Sequence, residues 1–426
     1  MPLQILAAPD DPALLDLPWS TPLERWPADQ LVALPRGISR HVVRFVRLGD
    51  RVYAVKEVSQ DLAQKEYRLL RELERRDVPA VEAAAVISGR TAPDGEPLEP
   101  ALITRHLQYS LPYRALFSQT LRPDTLNRLL DALAVLLVRL HLVGFFWGDC
   151  SLSNTLFRRD AGAFAAYLVD AETGEMHGSR ASTGQRHHDL DIAQTNVFGE
   201  LLDIEASGLL HPSVDPATTA HEVVRRYEGL WEELTRPETL PSGERERVDA
   251  RLRRLNELGF DVAELHMQSD GSGSEVVVQP KVVDAGHHSR RLMRLTGLDV
   301  QENQARRLLN DLDCFRASLG GESSDLDEEI IAHRWLAEAF HATVQAIPPK
   351  LRGKREPAEL FHEILEHRWY LSEAEGREVP LEDAARSYAQ TVLPFKPDEK
   401  AVLGSRIGTP TQRYDPTADP GTYPGA

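Results

Sequence analysis

Residues 146–170 read FWGDCSLSNTLFRRDAGAFAAYLVD, and this stretch decides the fold. A polar loop from Gly148 to Asn154 is held between apolar residues. Asp149 opens it and Asn154 follows five positions later. Two short apolar runs, TLF and AAYLV, are separated by RRDAGAF, and the second ends on Asp170. Two strands joined by a hairpin are predicted, with Asp149 and Asn154 before the first and Asp170 at the end of the second. That arrangement gathers three oxygen ligands around one point. Carboxylate and amide oxygens suit a hard cation such as Mg²⁺. A phosphoryl-transfer site needs such parts: one carboxylate to orient an acceptor hydroxyl, an amide and a carboxylate for metal, and a lysine for phosphate charge.

The lysine is found independently. In RVYAVKEV, alternation puts Val52, Ala54, Lys56 and Val58 on one strand face. An ammonium among apolar neighbours needs an anionic partner. The helix expected over 61–76 carries a stripe of Leu62, Leu69, Leu70 and Leu73, and Glu66 falls on that stripe. A core-facing Glu66 beside a core-facing Lys56 predicts an ion pair.

The whole chain sets the limits. It has 426 residues, 42% hydrophobic and 27% charged, so two or three domains are expected. A net charge of −17 argues against non-specific adhesion to nucleic acid or anionic membrane. Two cysteines, Cys150 and Cys314, form no disulfide framework. The apolar run LLDALAVLLVRLHLVGFFW carries Asp131, Arg139 and His141, which makes it a buried helix rather than a membrane span. No secretory leader is visible, the first cationic residue being Arg25, and a cytoplasmic location is expected.

These motifs carry a resemblance. YAVK resembles the V-A-I-K strand of protein kinases, GDCSLSN the D-x-x-x-x-N catalytic loop, and VDAE stands where D-F-G would. The order fits a kinase-like fold. GISRHVVRF followed by KEYRLLREL is most similar to bacterial lipopolysaccharide (Kdo-type) kinases, and the C-terminal part resembles a bacterial domain family of unknown function. The resemblance implies an α+β, two-lobed protein-kinase-like fold, a small antiparallel sheet lobe plus a helical lobe, with an additional mainly helical C-terminal domain. The expected divisions are an N-terminal extension at 1–35 and a kinase-like domain at 36–212, its lobes 36–107 and 108–212. A mainly helical domain at 213–392 and a disordered tail at 393–426 follow. It also implies ATP and Mg²⁺ as cofactors. Lys56 would contact the α- and β-phosphates, held by Glu66. Asp149 would serve the acceptor hydroxyl, and Asn154 and Asp170 the metal. Ala54 would touch the adenine and the linker Thr104–Leu107 would hydrogen-bond its edge.

The departures from the family pattern shape the expected function. No G-x-G-x-x-G occurs, so Gly37, Ser39, Arg40 and His41 would form the phosphate-covering loop. Ser151 stands where protein kinases carry a loop lysine, Ala171-Glu172 replaces Phe-Gly, and no A-P-E follows. Asp189 or Asp191 would brace the catalytic loop, which leaves little room for a peptide-docking segment. The reading is therefore a phosphotransferase acting on a hydroxyl of a small-molecule, sugar or lipid-linked acceptor. One alternative is a nucleotide-binding pseudokinase serving as a regulatory module. Another is a DNA-binding regulator, because HHSRRLMRLTGLDVQENQARRLLNDL has the form of helix-turn-helix, with Gly297 at the turn and Arg306 and Arg307 on the second helix. Glu172 reads either as an extra metal ligand or as a solvated turn acid. HEILEH is one residue too long for a zinc motif, since five positions turn a helix by about 140°.

Overall fold

The computed structural model describes residues 2–7, 12–32, 34, 41–49, 51–117, 121, 123–178, 180–241, 245–269, 275–319 and 327–400. Its first lobe is a five-stranded sheet. The strands are β1 (Gln4–Ala7), β2 (Val43–Leu48), β3 (Arg51–Glu57), β4 (Ala83–Ser88) and β5 (Ala101–Arg105), in the order β1-β4-β5-β3-β2 with every pairing antiparallel. Gly49, at φ +61°, turns the chain between β2 and β3. Alternation sends Tyr53, Val55, Ala85, Ile87, Ala101 and Ile103 to one face, while Val58, Ala83, Val86 and Leu102 join the other. Helix α1 (Gln60–Arg75) lays Ala63, Tyr67, Leu70 and Leu73 on this second face.

The first face is covered by the N-terminal segment, so the described residues between 2 and 34 are no appendage. β1 is an edge strand, and Leu14, Leu17, Trp19, Leu23 and Trp26 are buried against the sheet. Each such side chain contributes roughly 1.5–3 kcal/mol. Arg90, wholly buried, ties the segment down. It donates to the carbonyls of Trp19 (3.1 Å), Thr21 (2.8 Å) and Glu99 (2.7 Å) and pairs with Glu57 at 2.8 Å. Thr21 and Glu24 resemble a capping box in sequence, yet only a three-residue 3-10 turn forms at Leu23–Arg25. Pro22 occupies its cap position and offers no side-chain acceptor.

The second lobe comprises β6 (Leu111–Pro112), α2 (Tyr113–Leu116), α3 (Pro123–Leu142), β7 (Phe145–Phe146), β8 (Thr155–Asp160), β9 (Ala163–Leu168), β10 (Glu175–Met176), α4 (Thr183–Ala206) and α5 (Pro216–Thr235). β6, β8 and β9 form one sheet and β10 pairs with β7. α3 is the long apolar helix the sequence predicts and is buried along most of its length. Val223, Tyr227 and Leu234 of α5 share its core, so a division at 212 cuts through continuous packing. Among the described residues no helix is long and apolar enough to cross a membrane.

Beyond it lie β11 (Glu238–Pro241), α6 (Arg245–Glu257), β12 (Phe260–Ser269) and β13 (Glu275–Ala285), with β13 central in a three-stranded sheet. Residues 219–266 read as mostly helical, but β12 is a strand because the Val-rich β13 pairs along it. Then come α7 (His287–Thr296), α8 (Glu302–Ser318) and α9 (Glu328–Trp335), which runs through a π turn at Leu336–His341 into α10 (Ala342–Ala346). α11 (Pro349–Arg352), α12 (Pro357–Glu375) and α13 (Leu381–Thr391) complete the helical part. Residues 393–400, assigned from sequence to a tail, belong to the folded body. Leu393 is buried, as are Lys396 and Glu399, and Glu399 pairs with Arg159 (2.7 Å) and Arg355 (3.1 Å). The rest of the expected tail, 401–426, lies outside the described residues.

Candidate active site

Three segments distant in sequence converge on Lys56. Its Nζ lies 3.2 Å from Glu66 Oε2, 2.9 Å from Asp170 Oδ2 and 2.9 Å from Glu172 Oε2. β3 supplies the ammonium, α1 supplies Glu66 from its buried stripe, and the end of β9 delivers the two acids. Glu172 is no solvated turn acid. It is 12% exposed, its carboxylate also meets His41 Nε2 at 3.2 Å, and its carbonyl accepts from Lys65 Nζ at 2.9 Å. Glu172 N–H donates to Asp170 Oδ1 at 3.0 Å, which locks the two acids together.

Three carboxylates compete for one cation. Burial pulls the Lys56 ammonium toward neutrality, but Glu66, Asp170 and Glu172 together outweigh burial and keep it charged. Glu66, 2% exposed, is pushed up to about 7 by burial and then by the Asp170 charge, against the pull of Lys56. The two directions agree: with an excess of acids around one ammonium, the deepest one holds a proton more readily than a free carboxyl. The ligand oxygens of Glu66, Asp170 and Glu172 lie within 4.8 Å of one another. Such a set of hard oxygen donors suits Mg²⁺.

The polar loop of the opening stretch is fixed from beneath. Asp189, fully buried on α4, accepts from Trp147 N–H (2.8 Å), Gly148 N–H (2.8 Å) and His141 Nε2 (3.0 Å). Burial pulls the His141 imidazole down despite Asp189, so the contact is a neutral hydrogen bond, and Nδ1 accepts from Tyr227 Oη at 2.7 Å. Asp191 is exposed, so Asp189 is the brace. Asp149 is gripped on both oxygens, by Asn154 Nδ2 (3.0 Å to Oδ2) and Asn196 Nδ2 (3.1 Å to Oδ1). Asn154 spends its amide N–H groups on Asp149, which leaves its carbonyl oxygen as the atom suited to a cation. Val169 N–H donates to the main-chain carbonyl of Asn154 at 3.0 Å, not to its side-chain oxygen, so the segments carrying Asn154 and Asp170 run side by side.

Asn196 and Glu200 escape the sequence reading. Glu200 accepts from Leu152 N–H (2.7 Å) and Ser153 N–H (3.0 Å). They lie 7 and 11 positions after Asp189 on α4, a spacing that puts all three on one helix face. Ala54 is half-buried on the Lys56 face, paired with Phe45 and Thr104. In the linker, Arg105 N–H donates to Glu82 O and His106 N–H to Val52 O, both at 2.8 Å, which narrows its free donors toward Leu107. Gly37, Ser39 and Arg40 lie outside the described residues. Cys150 is fully buried, and burial pushes its thiol up. His362 and His367 of HEILEH turn to different partners, Glu366 and Ser387.

The comparisons with known proteins cover two parts of the chain. Residues 47–196 match the lipopolysaccharide kinase (Kdo/WaaP) family, and residues 229–393 match a domain of unknown function (DUF4032). Among solved structures, WaaP in complex with acyl carrier protein is 18% identical, with a TM-score of 0.36 over 60% of this chain and 99% of that one. An aminoglycoside-3'-phosphotransferase of type VIII is 17% identical, with a TM-score of 0.34 over 49% of this chain and 89% of that one. Scores this low have no bearing on function. No curated protein matches. The chain is thus similar to the lipopolysaccharide kinase (Kdo/WaaP) family over residues 47–196 and to a domain of unknown function over residues 229–393.

Proposed function

We propose that the chain is an ATP-dependent phosphotransferase acting on a hydroxyl of a small-molecule, sugar or lipid-linked acceptor. The observation that carries the reading is the meeting of Lys56, Glu66 and Asp170, from β3, α1 and the end of β9, within 3.2 Å. With Glu172 as a third acid on the same ammonium, the cluster carries a surplus of negative charge, which supports the reading of a cation-binding site.

Lys56, kept charged and aimed by Glu66, neutralises phosphate oxygens of the nucleotide. Asp170 and Asn154 would hold Mg²⁺, which would supply charge neutralisation to the phosphates. Asp149 accepts a hydrogen bond from the acceptor hydroxyl. That oxygen forms the new bond to the γ-phosphorus, the bond to the bridging oxygen breaks, ADP departs, and the hydroxyl proton passes to Asp149. Asn154 and Asn196 fix the Asp149 carboxylate in one orientation, so its reach to the hydroxyl requires no reorganisation.

A second reading, a nucleotide-binding regulatory module without turnover, draws on Glu172. Its carboxylate takes Lys56 at the same 2.9 Å as Asp170 and would compete with phosphate. Incubating the full-length protein with Mg-ATP and cell metabolite extract, and following new phosphorylated species by mass, separates the two. The phosphotransferase reading expects at least one species that vanishes with Lys56→Met. Tight Mg-ATP binding with no phosphorylated product from any extract favours the regulatory module.

A further inference from the structure

The hairpin β8–β9 is the covalent link between Asn154 and Asp170. Its six register pairs, Thr155↔Leu168 to Asp160↔Ala163, span about 20 Å. Its proximal half has neighbours: β6 pairs with Leu156 and Phe157, and Ala80 bridges to Leu168. No strand pairing beyond β8–β9 itself reaches Arg158–Phe164 among the described residues. One face of the hairpin packs into the core it shares with α3, through Phe157, Phe164, Ala166 and Leu168, while among the described residues the strand edges and the turn beyond Arg158 have no sheet neighbour. Its turn is also unusual, because Ala161 (φ +50°) precedes Gly162 (φ +82°) and an alanine occupies a conformation that favours glycine.

The C-terminal domain adds a polar hold at the turn. Asp160, 3% exposed, closes the N-terminus of α8: Oδ1 accepts from Gln304 N–H (2.7 Å), and Oδ2 accepts from Asn303 N–H (3.2 Å) and Asn303 Nδ2 (2.9 Å). Gln304, fully buried, donates through Nε2 to the Arg159 carbonyl (3.1 Å) and to Glu359 Oε2 (3.0 Å). That same Glu359 oxygen accepts the strained Ala161 N–H at 2.8 Å. Arg158 pairs with Glu356, and Tyr167 Oη donates to Gln301 Oε1 at 2.6 Å. The N-terminal ends of α8 and α12 therefore grip the tip of a hairpin whose other end carries the candidate metal ligands. The grip also accounts for the helix-turn-helix pattern. Leu292 and Leu295 pack and Gly297 turns the chain, but the start of the second helix is spent on Asp160 rather than open to a groove.

We infer that the C-terminal domain is a brace for the catalytic hairpin, with Asp160, Gln304 and Glu359 as positioning residues that set the separation of Asn154 and Asp170. The inference rests on the reading of that pair as the metal ligands. A paired hairpin moves as a unit, so freedom at the tip becomes freedom at both ends, and cation binding is coupled to the domain.

The test uses the full-length chain and three variants: Asp160→Asn, Glu359→Gln and, as a control in the same domain away from the hairpin, Ile331→Val. Amide hydrogen exchange is followed without ligand at residues 151–156 and 167–172, and ADP binding is titrated calorimetrically with and without Mg²⁺. The first two variants should raise exchange at both ends about tenfold and weaken Mg²⁺-dependent ADP binding about tenfold, on the usual scale of coupling between sites. Metal-free ADP binding and the control should stay within about twofold of the parent. Exchange that rises only at residues 158–163, with both ends at the parent rate, overturns the brace. If a variant fails to fold, Arg158→Gln, a milder cut at the same tip, is read by the same criteria. Looser ends in a chain whose parent binds no Mg-ADP leave the brace standing and refute the metal assignment instead.

Discussion

Two clusters of buried charge lie at opposite ends of one hairpin, and they settle their charge differently. At the Lys56 end, three carboxylates share one ammonium, and the acids from the β9 end stay partly open, Asp170 at 30% and Glu172 at 12%. At the tip end, Arg355 (1% exposed) pairs with Glu363 and Glu399 at 3.1 Å each, and the remaining acids, Asp160 and Glu359, are satisfied by N–H donors. The tip network is closed and internally paired, as a structural network must be. The Lys56 cluster carries an uncompensated surplus near solvent, as a site built for a cation does. Charge surplus combined with access is what sets a site apart from a brace, since both contain perturbed carboxylates.

The largest effect should come from breaking the closed network. Arg355→Met leaves buried Glu363 with Lys396, at 3.9 Å, and Glu399 with Arg159 as their remaining cations, and should cost roughly 3–5 kcal/mol in chemical denaturation. A loss below about 1 kcal/mol would mean that the tip network is as loosely held as a surface pair.

The same network should give stability a pH dependence. Burial pushes Asp160 and Glu359 each up to about 7, more than their N–H donors pull them down. The folded chain therefore holds protons that the unfolded chain has released, from about pH 4 to about pH 7. Stability from these two groups is full below that window and is lost as pH rises through 7, by about 1 kcal/mol per pH unit for each group. Glu363 acts oppositely: Arg355 and Lys396 outweigh its burial and hold it down at about 2, so its contribution fades as pH falls below 4.5. Asp160→Asn should flatten the slope between pH 4 and 7 in thermal scans. An unchanged slope would show that Asp160 is charged throughout.

At the open end, Lys56→Met should act on binding more than on folding. Removing the ammonium should weaken nucleotide affinity by about 2 kcal/mol, roughly 30-fold. Glu66, already pushed up to about 7, can shed its charge by taking a proton, which limits the damage to the fold. A variant that unfolds yet binds nucleotide as tightly as the parent when refolded would reverse the comparison. The smallest effect should be at the turn. Ala161→Gly relieves a left-handed alanine and adds chain entropy to the unfolded state, for a net gain of about 0.5 kcal/mol in melting experiments. A net loss would mean that the Glu359 grip, not the turn, sets the backbone there.

How much of this is legible in the sequence depends on the range of the interaction. Strand alternation and a helix stripe are local patterns, and they are enough to face Lys56 and Glu66 toward each other. The spacing of Asp149, Asn154 and Asp170 around a hairpin is local too. Asp189 and Asp191 share one short motif, and only burial distinguishes them. Asn196 and Glu200 had a signal, the helical spacing from Asp189, but nothing in their chemistry singles them out until Asp149 lies beside them. The N-terminal segment was illegible because Trp19 and Trp26 find their partners on strands dozens of positions away, with no periodicity to announce it. β12 was misread because its pairing with β13, not its own pattern, makes it a strand. The role of Asp160 was hidden for the same reason: its partners, Asn303 and Gln304, lie more than 140 residues further on.

The central claim is that the open end of the hairpin carries out phosphoryl transfer, and Asp149→Asn tests it most directly. Calorimetry with Mg-ATP and phosphate release are measured on the parent and the variant, water standing in for the acceptor. The account predicts that the variant binds Mg-ATP nearly as well as the parent, because one side-chain oxygen remains at position 149 and Asn154 and Asn196 keep their main-chain acceptors, the carbonyls of residues 149 and 150, and that its phosphate release falls to the metal-only blank. Equal phosphate release from both proteins above that blank would contradict it.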